Sequence, residues 1–206
     1  MFTKFLATDE EKQTRIIGSA LKQFAEKSYS AASTNEIAKE AGISKGLLFH
    51  YFASKKALYL YMYDYSIQVI SEEIGQKVNF DERDLFIRMS QVAGLKLTIF
   101  QKSPDLMKFL ERVFFEEAEE VKQELEDRKK QVATSEYFKL FSDIDSSSFK
   151  EGIDAAQAIN VILWTLEGLG ESVKARHKLD GKEIDIPLLM EEFDRYMELL
   201  RMSFYK

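Results

Sequence analysis

The sequence predicts an all-α protein of about nine helices, because apolar residues recur at helical spacing along most of the chain. Only two prolines and nine glycines interrupt its 206 residues, so long helices can run unbroken. No stretch of useful length alternates between apolar and polar residues as a half-buried strand does. The chain is 45% hydrophobic and can bury a substantial core. We expect an N-terminal domain over residues 1–54 and a second helical domain over residues 55–206.

The first predicted helix covers residues 9–27. Ile16, Ala20 and Phe24 recur at steps of four and therefore share one face. The acidic residues at its start suit the positive end of the helix dipole. A Ser-Tyr-Ser segment ends it, so this helix offers one apolar face to the helices that follow.

A helix-turn-helix pattern comes next. Ser33 and Glu36 have the spacing of a capping box, which starts the second helix. Gly42 ends that helix, because glycine accepts a left-handed backbone. Ser44 is the expected N-cap of a third helix, which ends near Phe52. Two short helices joined by a glycine turn form a module that can lay its second helix in the major groove of DNA.

Six further helices are predicted after residue 54. A Ser-Pro-Asp sequence starts the third of these six, because proline is favoured in the first helical turn. A serine-rich loop and an Asp-Gly turn separate the last three. The predicted ranges are residues 55–77, 81–101, 104–126, 132–141, 154–176 and 185 to the last turn of the chain.

Charge is distributed unevenly along the chain. Residues 12–56 carry eight basic and three acidic side chains, a net charge of +5. The whole chain carries −6, which leaves −11 for the remainder. A basic module on an acidic body suits a protein that holds DNA at one end, because phosphates attract Lys and Arg. The alternative is that this uneven distribution is ordinary variation in surface charge.

Composition and motifs disfavour several other classes. The chain has no cysteine, which excludes a disulfide framework and a thiolate metal site. No apolar run reaches the roughly 18 residues of a membrane span, and the first residues lack the pattern of a signal peptide, so we expect a cytoplasmic protein. His50 and His177 fall in different predicted domains, and no phosphate-binding glycine loop occurs. We therefore expect no catalytic residues, no metal site and no cofactor.

Four short motifs follow one another at fixed spacing in the first third of the chain. They are Ser-Thr-Asn-Glu-Ile-Ala at 33–38, Ala-Gly-Ile-Ser-Lys-Gly at 41–46, Leu-Phe-His-Tyr-Phe at 48–52 and Ser-Lys-Lys-Ala-Leu at 54–58. Together they resemble the three-helix DNA-binding region and the start of the fourth helix in the TetR family of bacterial transcriptional repressors. Many members carry Tyr-His where this chain has His50-Tyr51, which leaves open which of the two contacts phosphate.

The resemblance implies DNA contacts at the starts of the second and third helices and on the outer face of the third. Free N–H groups and hydroxyls there suit phosphates, and a lysine or a leucine can meet a guanine edge or a thymine methyl. Capping alone, a tolerated glycine and a solvated histidine are the alternatives for Ser33, Ser44, Gly46 and His50. The expected contact residues are Ser33, Thr34, Ser44, Lys45, Gly46, Leu47, His50, Tyr51 and Lys55.

The last two predicted helices carry wide apolar faces. In proteins that this chain resembles, two such helices pair with their copies in a second subunit. We therefore expect a homodimer, whose two recognition helices would suit a palindromic operator. Burial of both faces in the chain's own core is the alternative. The expected interface residues are Ile162, Leu166, Leu169, Phe193, Tyr196 and Leu200.

Aromatic residues are frequent between Phe86 and Trp164. An apolar cavity with a few polar groups would suit a small hydrophobic or amphipathic effector, and an ordinary helical core is the alternative. A solid core would instead indicate a DNA-bound protein–protein adaptor without an effector. The acidic residues 116–127 are expected to form a solvated helix face. The expected effector contacts are Phe100, Glu111, Phe114, Asn160, Trp164 and Glu167.

The resemblance also implies how an effector would release the operator. The ligand would favour a conformation in which the helix over residues 55–77 moves the two DNA-binding modules out of register. A ligand can shift the equilibrium in this way only if it binds that conformation more tightly than the other.

Overall fold

The computed structural model describes residues 2–181 and 185–206, and within them the chain is all-α, as predicted. Those residues form ten α-helices and a 3-10 turn at Ser146–Ser148. An isolated bridge joins Phe149 and Tyr205. The helices are α1 Thr3–Leu6, α2 Glu10–Glu26, α3 Thr34–Glu40, α4 Lys45–Phe52, α5 Lys55–Lys77, α6 Leu85–Lys102, α7 Pro104–Phe115, α8 Glu119–Phe141, α9 Ala155–Asp180 and α10 Ile186–Phe204.

Apart from shifts of up to four residues at helix ends, as at the start of α6 and the end of α9, the structure differs from the predicted helices at two places. Helix α1 was not predicted. The sequence also placed a break between residues 126 and 132, whereas the chain leaves the helix at 116–118 and α8 then continues to Phe141. Glu116 has an extended backbone (φ −69°, ψ 125°), and its carboxylate accepts a hydrogen bond from the Ala118 N–H at 3.0 Å. A side chain therefore fixes the break, without glycine or proline.

Contacts divide the described residues into two compact units. Unit 1 comprises Met1–Lys77 and Leu95–Ser135, and unit 2 comprises Val78–Gly94 and Glu136–Lys206. The boundaries fall within α6 and α8, so unit 1 contains more than the predicted N-terminal domain. A functional boundary between residues 54 and 55 stays a prediction.

Unit 1 has an aromatic centre made by α2, α5 and α7. The rings of Phe24 and Tyr59 meet edge to face with centroids 4.9 Å apart, and those of Tyr59 and Phe109 do so at 5.3 Å. All three side chains are buried. Edge-to-face ring pairs stabilise a core beyond the burial of their area. Helix α7 is thereby fixed against the helix that precedes the helix-turn-helix.

Unit 2 has a separate core between α6, α9 and α10. Ile162 and Leu200 lie inside it together with Leu85. The Tyr205 ring packs 4.8 Å from that of Phe86, and the Tyr205 hydroxyl accepts a hydrogen bond from the Leu85 N–H at 3.2 Å. The C-terminal residues thus close this core at the start of α6.

A buried arginine joins two segments of unit 2. Arg88 is 1% exposed, and its guanidinium donates to the carbonyls of Leu140 at 3.0 Å and Ser142 at 2.8 Å. It also donates to the carbonyls of Phe80 at 2.9 Å and Glu82 at 2.9 Å. One side chain therefore ties the end of α8 to the loop before α6.

The junction between α4 and α5 has a strained backbone. Ala53 has φ 61° and ψ −38°, and the Ser54 N–H donates to the Phe52 carbonyl at 2.7 Å. This is a γ-turn with positive φ, which is rare and strained for a residue with a side chain. Helix α4 therefore ends at a position that glycine would occupy more easily.

We expect Ala53→Gly to raise the free energy of unfolding by about 1 kcal/mol, because relief of strain exceeds the entropy that glycine adds to the unfolded chain. Urea denaturation would measure the change. Ala133→Gly, at an exposed position in α8, is the control and should lower stability by about 1 kcal/mol. If both variants are destabilised, Ala53 is not strained.

Candidate nucleic-acid interface

The helix-turn-helix is formed by α3 and α4, and the predicted N-caps Ser33 and Ser44 are confirmed. The reciprocal half of the capping box is not formed, because the Ser33 N–H donates to Gln23 and not to Glu36. The Ser33 hydroxyl accepts a hydrogen bond from the Glu36 N–H at 3.4 Å, and the Ser44 hydroxyl accepts one from the Leu47 N–H at 3.1 Å. Both serines have an extended backbone, as N-caps do. Gly42 makes the turn with φ 71°. The contacts of the two serines and of half-buried Thr34 with DNA stay predictions.

Helix α4 presents different chemistry on its two sides. Leu48 and Phe52 are buried in the core of unit 1. Leu47 and Tyr51 are half-buried, and the exposed residues at the start and outer side of the helix are Ser44, Lys45, Gly46 and His50. Basic, small and aromatic groups therefore share a surface that protein packing leaves open.

Gly46 is not required by packing within the chain. An alanine Cβ at this position would have Ser44 Oγ as its nearest neighbour, at 3.9 Å, which is ordinary van der Waals contact. Glycine inside a helix costs about 1 kcal/mol relative to alanine. Packing within the chain does not account for that cost, and the role of Gly46 in DNA contact stays a prediction.

The two predicted lysine contacts have different surroundings. Lys45 is exposed, with its ammonium 5.8 Å from the centre of the Phe49 ring. Lys55 is half-buried, and its ammonium donates to the Ser30 carbonyl at 3.1 Å and lies 4.9 Å from the centre of the Tyr29 ring. Burial lowers the pKa of Lys55. Lys55 thus has a role within unit 1 that the sequence did not indicate, and its phosphate contact stays a prediction.

The loop that leads into α3 is held from two sides. The Gln23 side-chain oxygen accepts hydrogen bonds from the Ser33 N–H at 3.1 Å and from the Lys27 ammonium at 3.1 Å. The Glu116 carboxylate accepts one from the Tyr29 N–H at 2.8 Å. The start of α3 is therefore anchored to α2 and to the α7–α8 junction.

Arg112 makes a further long-range link in this region. Its guanidinium donates to the Ala25 carbonyl and so joins α7 to α2. The sequence did not indicate either link, since 87 residues separate the partners in each. Glu116 was predicted on a solvated helix face, and this was wrong for Glu116. In the same acidic stretch Val121 and Leu125 face the core, while Glu119 is exposed.

Helix α1 supports the far end of α4. Phe5 is fully buried, and its ring lies 4.8 Å from that of Phe52 and 5.8 Å from that of Tyr51. The Gln13 amide donates to the Leu6 carbonyl at 3.2 Å and so holds the end of α1 against α2. Phe2 also packs against Phe52, with ring centroids 5.6 Å apart, so contacts with α4 account for this short helix.

The predicted effector residues fall in both units, each described separately. In unit 1, Phe100, Glu111 and Phe114 are half-buried. In unit 2, Asn160, Trp164 and Glu167 are exposed at steps of four and three on α9, and Trp164 is 66% exposed. Their role in effector binding stays a prediction.

The predicted dimer residues divide between core and surface. Ile162 and Leu200 are buried within unit 2, and Leu166 and Phe193 pack against the same core. Leu169 is half-buried, and Tyr196 is exposed. For Ile162 and Leu200 the structure matches the alternative interpretation, burial in the chain's own core. Among the described side chains of α9 and α10, the other large apolar residues that are exposed are Val161, Trp164, Leu179, Leu188, Leu199 and Met202.

Membrane-spanning helices and metal-binding clusters are two other features that the described part of the chain could carry. None of its helices has the length and hydropathy to cross a lipid bilayer. Within the same residues, no group of three acidic or histidine side chains could hold a metal ion. The side chain of His177 lies outside the described residues.

Comparison of sequences gives the same assignment for the helix-turn-helix region. Residues 16–62 match the family model of bacterial regulatory proteins, tetR family. Two curated relatives from Bacillus subtilis, the uncharacterized HTH-type transcriptional regulators YuxN and YerO, are 54% and 46% identical over 56 and 57 residues. These matches cover 27% and 28% of this chain but only 19% and 20% of the relatives.

Comparison of structures extends over nearly the whole chain. A TetR family transcriptional regulator from Chloroflexus aurantiacus is 21% identical, with a TM-score of 0.61 over 99% of this chain and 98% of that one. SmeT, the repressor of the Stenotrophomonas maltophilia multidrug efflux pump SmeDEF, is 14% identical, with a TM-score of 0.67 over 96% and 93%. A complex of SmeT with triclosan has a TM-score of 0.65 at 15% identity, over 95% and 92% of the two chains. Residues 16–62 therefore carry the helix-turn-helix of the tetR family of bacterial regulatory proteins, and the chain as a whole shares the all-α fold of TetR-family regulators.

Proposed function

We propose that the protein is a DNA-binding transcriptional regulator that acts as a homodimeric repressor on a palindromic operator. The outer side of α4 carries the proposal, because Lys45, Gly46 and His50 are exposed there while the opposite side is buried. The net charge of +5 over residues 12–56 supports it. DNA phosphates attract a basic module even when the rest of the protein is acidic. The proposed role is binding, without catalysis.

In the proposed complex, α4 lies in the major groove. Lys45 contacts a guanine edge or a phosphate, and Leu47 contacts a thymine methyl. The starts of α3 and α4 direct backbone N–H groups and the hydroxyls of Ser33, Thr34 and Ser44 toward phosphates. Gly46 allows the helix backbone to approach the base pairs closely, which agrees with its exposed position on α4.

A homodimer is part of the proposal because a two-fold operator requires two recognition helices. The exposed apolar side chains of α9 and α10 support it. Val161 and Trp164 on α9 and Leu199 and Met202 on α10 are all at least 38% exposed. Large apolar groups grouped on two packed helices are typical of a surface that a partner covers. The contact would then use these residues more than the buried Ile162 and Leu200.

We further propose that a small hydrophobic or amphipathic effector releases the operator. SmeT, a structural neighbour, binds triclosan, which supports an apolar ligand with a polar group. The effector must bind the conformation that cannot engage DNA more tightly than the other. A compound that binds the protein but leaves operator affinity unchanged is not the effector.

We expect Lys45→Ala to weaken operator binding and to reduce the slope of log K against log salt by about one, because one phosphate contact is lost. Fluorescence anisotropy on a labelled operator duplex at several salt concentrations would measure both quantities. Lys122→Ala removes an exposed lysine of α8 and is the control, for which the slope should stay unchanged. An unaltered slope for Lys45→Ala would rule out its phosphate contact.

A further inference from the structure

We propose that Phe5 is a positioning residue for DNA binding, which holds the ring of Tyr51 so that its hydroxyl meets the DNA backbone. The proposal rests on the proposed function and adds to it an element outside residues 16–62, the segment that matches the family. It assigns the short helix α1 a role in building the DNA-binding surface.

The first support is the geometry around Tyr51. This residue is half-buried on α4, with one side toward the core and the other near the exposed ring of His50, 6.0 Å away. The Phe5 ring lies 5.8 Å from the Tyr51 ring, tilted by 58°. Because Phe5 is fully buried, its ring has little freedom to move, and the Tyr51 ring packs against it.

The second support is that Phe5 is itself held in place. Its ring packs against Phe52, at 4.8 Å, and against Tyr61 of α5, at 5.5 Å. The Thr8 hydroxyl donates to the Phe5 carbonyl at 2.8 Å, and the Gln13 amide donates to the Thr8 carbonyl at 2.9 Å. A side chain that is ordered before binding loses less entropy at an interface than a mobile one.

The third support concerns the hydroxyl end of Tyr51. A tyrosine hydroxyl is one of the groups that bind DNA phosphate oxygens. Tyr51 is only half-buried on α4, so its side chain is partly open to an external molecule.

The test is a double-mutant cycle on operator affinity. Phe5→Leu keeps an apolar side chain but removes the ring that Tyr51 rests against, and Tyr51→Phe removes only the hydroxyl. We expect each single variant to bind about tenfold more weakly, the loss typical of a hydrogen bond to a charged group. In the Tyr51→Phe background, Phe5→Leu should add less than about a twofold further loss, because the two residues act through one contact.

Leu6→Ala is the matched control, since Leu6 is the next residue of α1 and is 56% exposed. It should bind the operator as the wild type does. Phe5→Met is measured in parallel as a second variant of similar volume, and circular dichroism checks that each variant is folded. A purely structural role would give losses that multiply in the double variant.

The outcomes separate this proposal from the proposed function. If the wild type and Leu6→Ala bind the operator and the Phe5 variants bind equally well, Phe5 does not position Tyr51. Losses that multiply in the double variant overturn the proposal in the same way. If the wild type retains no duplex DNA, the proposed function itself fails, and the positioning role fails with it.

Discussion

Arg88→Met is expected to lower the free energy of unfolding of unit 2 by about 3–5 kcal/mol, because four part-buried carbonyls lose a charged donor. The guanidinium donates to carbonyls at the end of α8 and in the loop before α6. Methionine can fill much of the space but cannot donate. Each carbonyl left buried without a donor costs about 1–3 kcal/mol.

The position of these carbonyls adds to the effect. Leu140 and Ser142 lie at the C-terminal end of α8, where helix carbonyls have no partner within the helix. The positive charge of Arg88 also suits the negative end of the helix dipole. Loss of Arg88 should therefore loosen the end of α8 together with the loop before α6.

Hydrogen exchange of the amides in residues 85–94 would measure the change within unit 2. Arg83→Met is the matched control, because Arg83 is exposed and donates to one carbonyl, that of Asp143, at 3.1 Å. It should have an effect of less than about 1 kcal/mol. Arg88→Lys should recover little, since an ammonium cannot span carbonyls that a planar guanidinium reaches. Equal exchange in Arg88→Met and Arg83→Met would contradict the assigned role.

Glu116→Ala is expected to destabilise unit 1 by about 2–3 kcal/mol, because the N–H groups of Tyr29 and Ala118 lose their charged acceptor. The variant should also weaken operator binding. The Tyr29 N–H lies in the loop that leads to Ser33, and a looser loop would present the start of α3 to DNA in several orientations.

Urea denaturation and operator affinity would be measured on the same samples. Glu119→Ala, whose side chain is 90% exposed, controls for the loss of one negative charge near α8. An alanine at either position removes the same charge, so any general electrostatic gain in DNA affinity appears in both variants. If Glu116→Ala is as stable as Glu119→Ala, the carboxylate does not hold the loop.

The helix-turn-helix could be predicted from the sequence because its signals are local. Ser33 and Ser44 cap helices within three residues of themselves, and Gly42 supplies the positive φ of the turn. The bounds of α5 were predicted as residues 55–77 and are confirmed. Short-range hydrogen bonds determine these features, and the residue types that make them can be recognised in one pass along the chain.

The supports of the helix-turn-helix could not be predicted, because they depend on distant contacts. Helix α1 has four residues, too few for stability in isolation, and packing of Phe5 accounts for it. The Glu116 carboxylate binds the N–H of Tyr29, which lies 87 residues earlier in the chain. The residue type of Arg88 predicts an exposed side chain, since arginine is mostly exposed in proteins.

The apolar faces of α9 and α10 show a different limit. A wide apolar stripe indicates that a helix face is covered, but the chain's own core and a partner subunit cover it equally well. Only the structure separates the buried Ile162 and Leu200 from the exposed Trp164 and Leu199. The six expected effector contacts rest on the same kind of apolar pattern. For these residues the sequence could not distinguish a position in the core from one that lines a pocket.

Selection of bound fragments from random duplex DNA, with the purified protein near physiological salt, tests the central claim most directly. We predict enrichment of one inverted repeat, whose half-sites are centred about 34–36 Å apart or at a multiple of that distance. The same selection with Lys45→Ala should give weaker enrichment of the same repeat. Failure of the wild type to retain any duplex would contradict the assignment of α4 as a recognition helix.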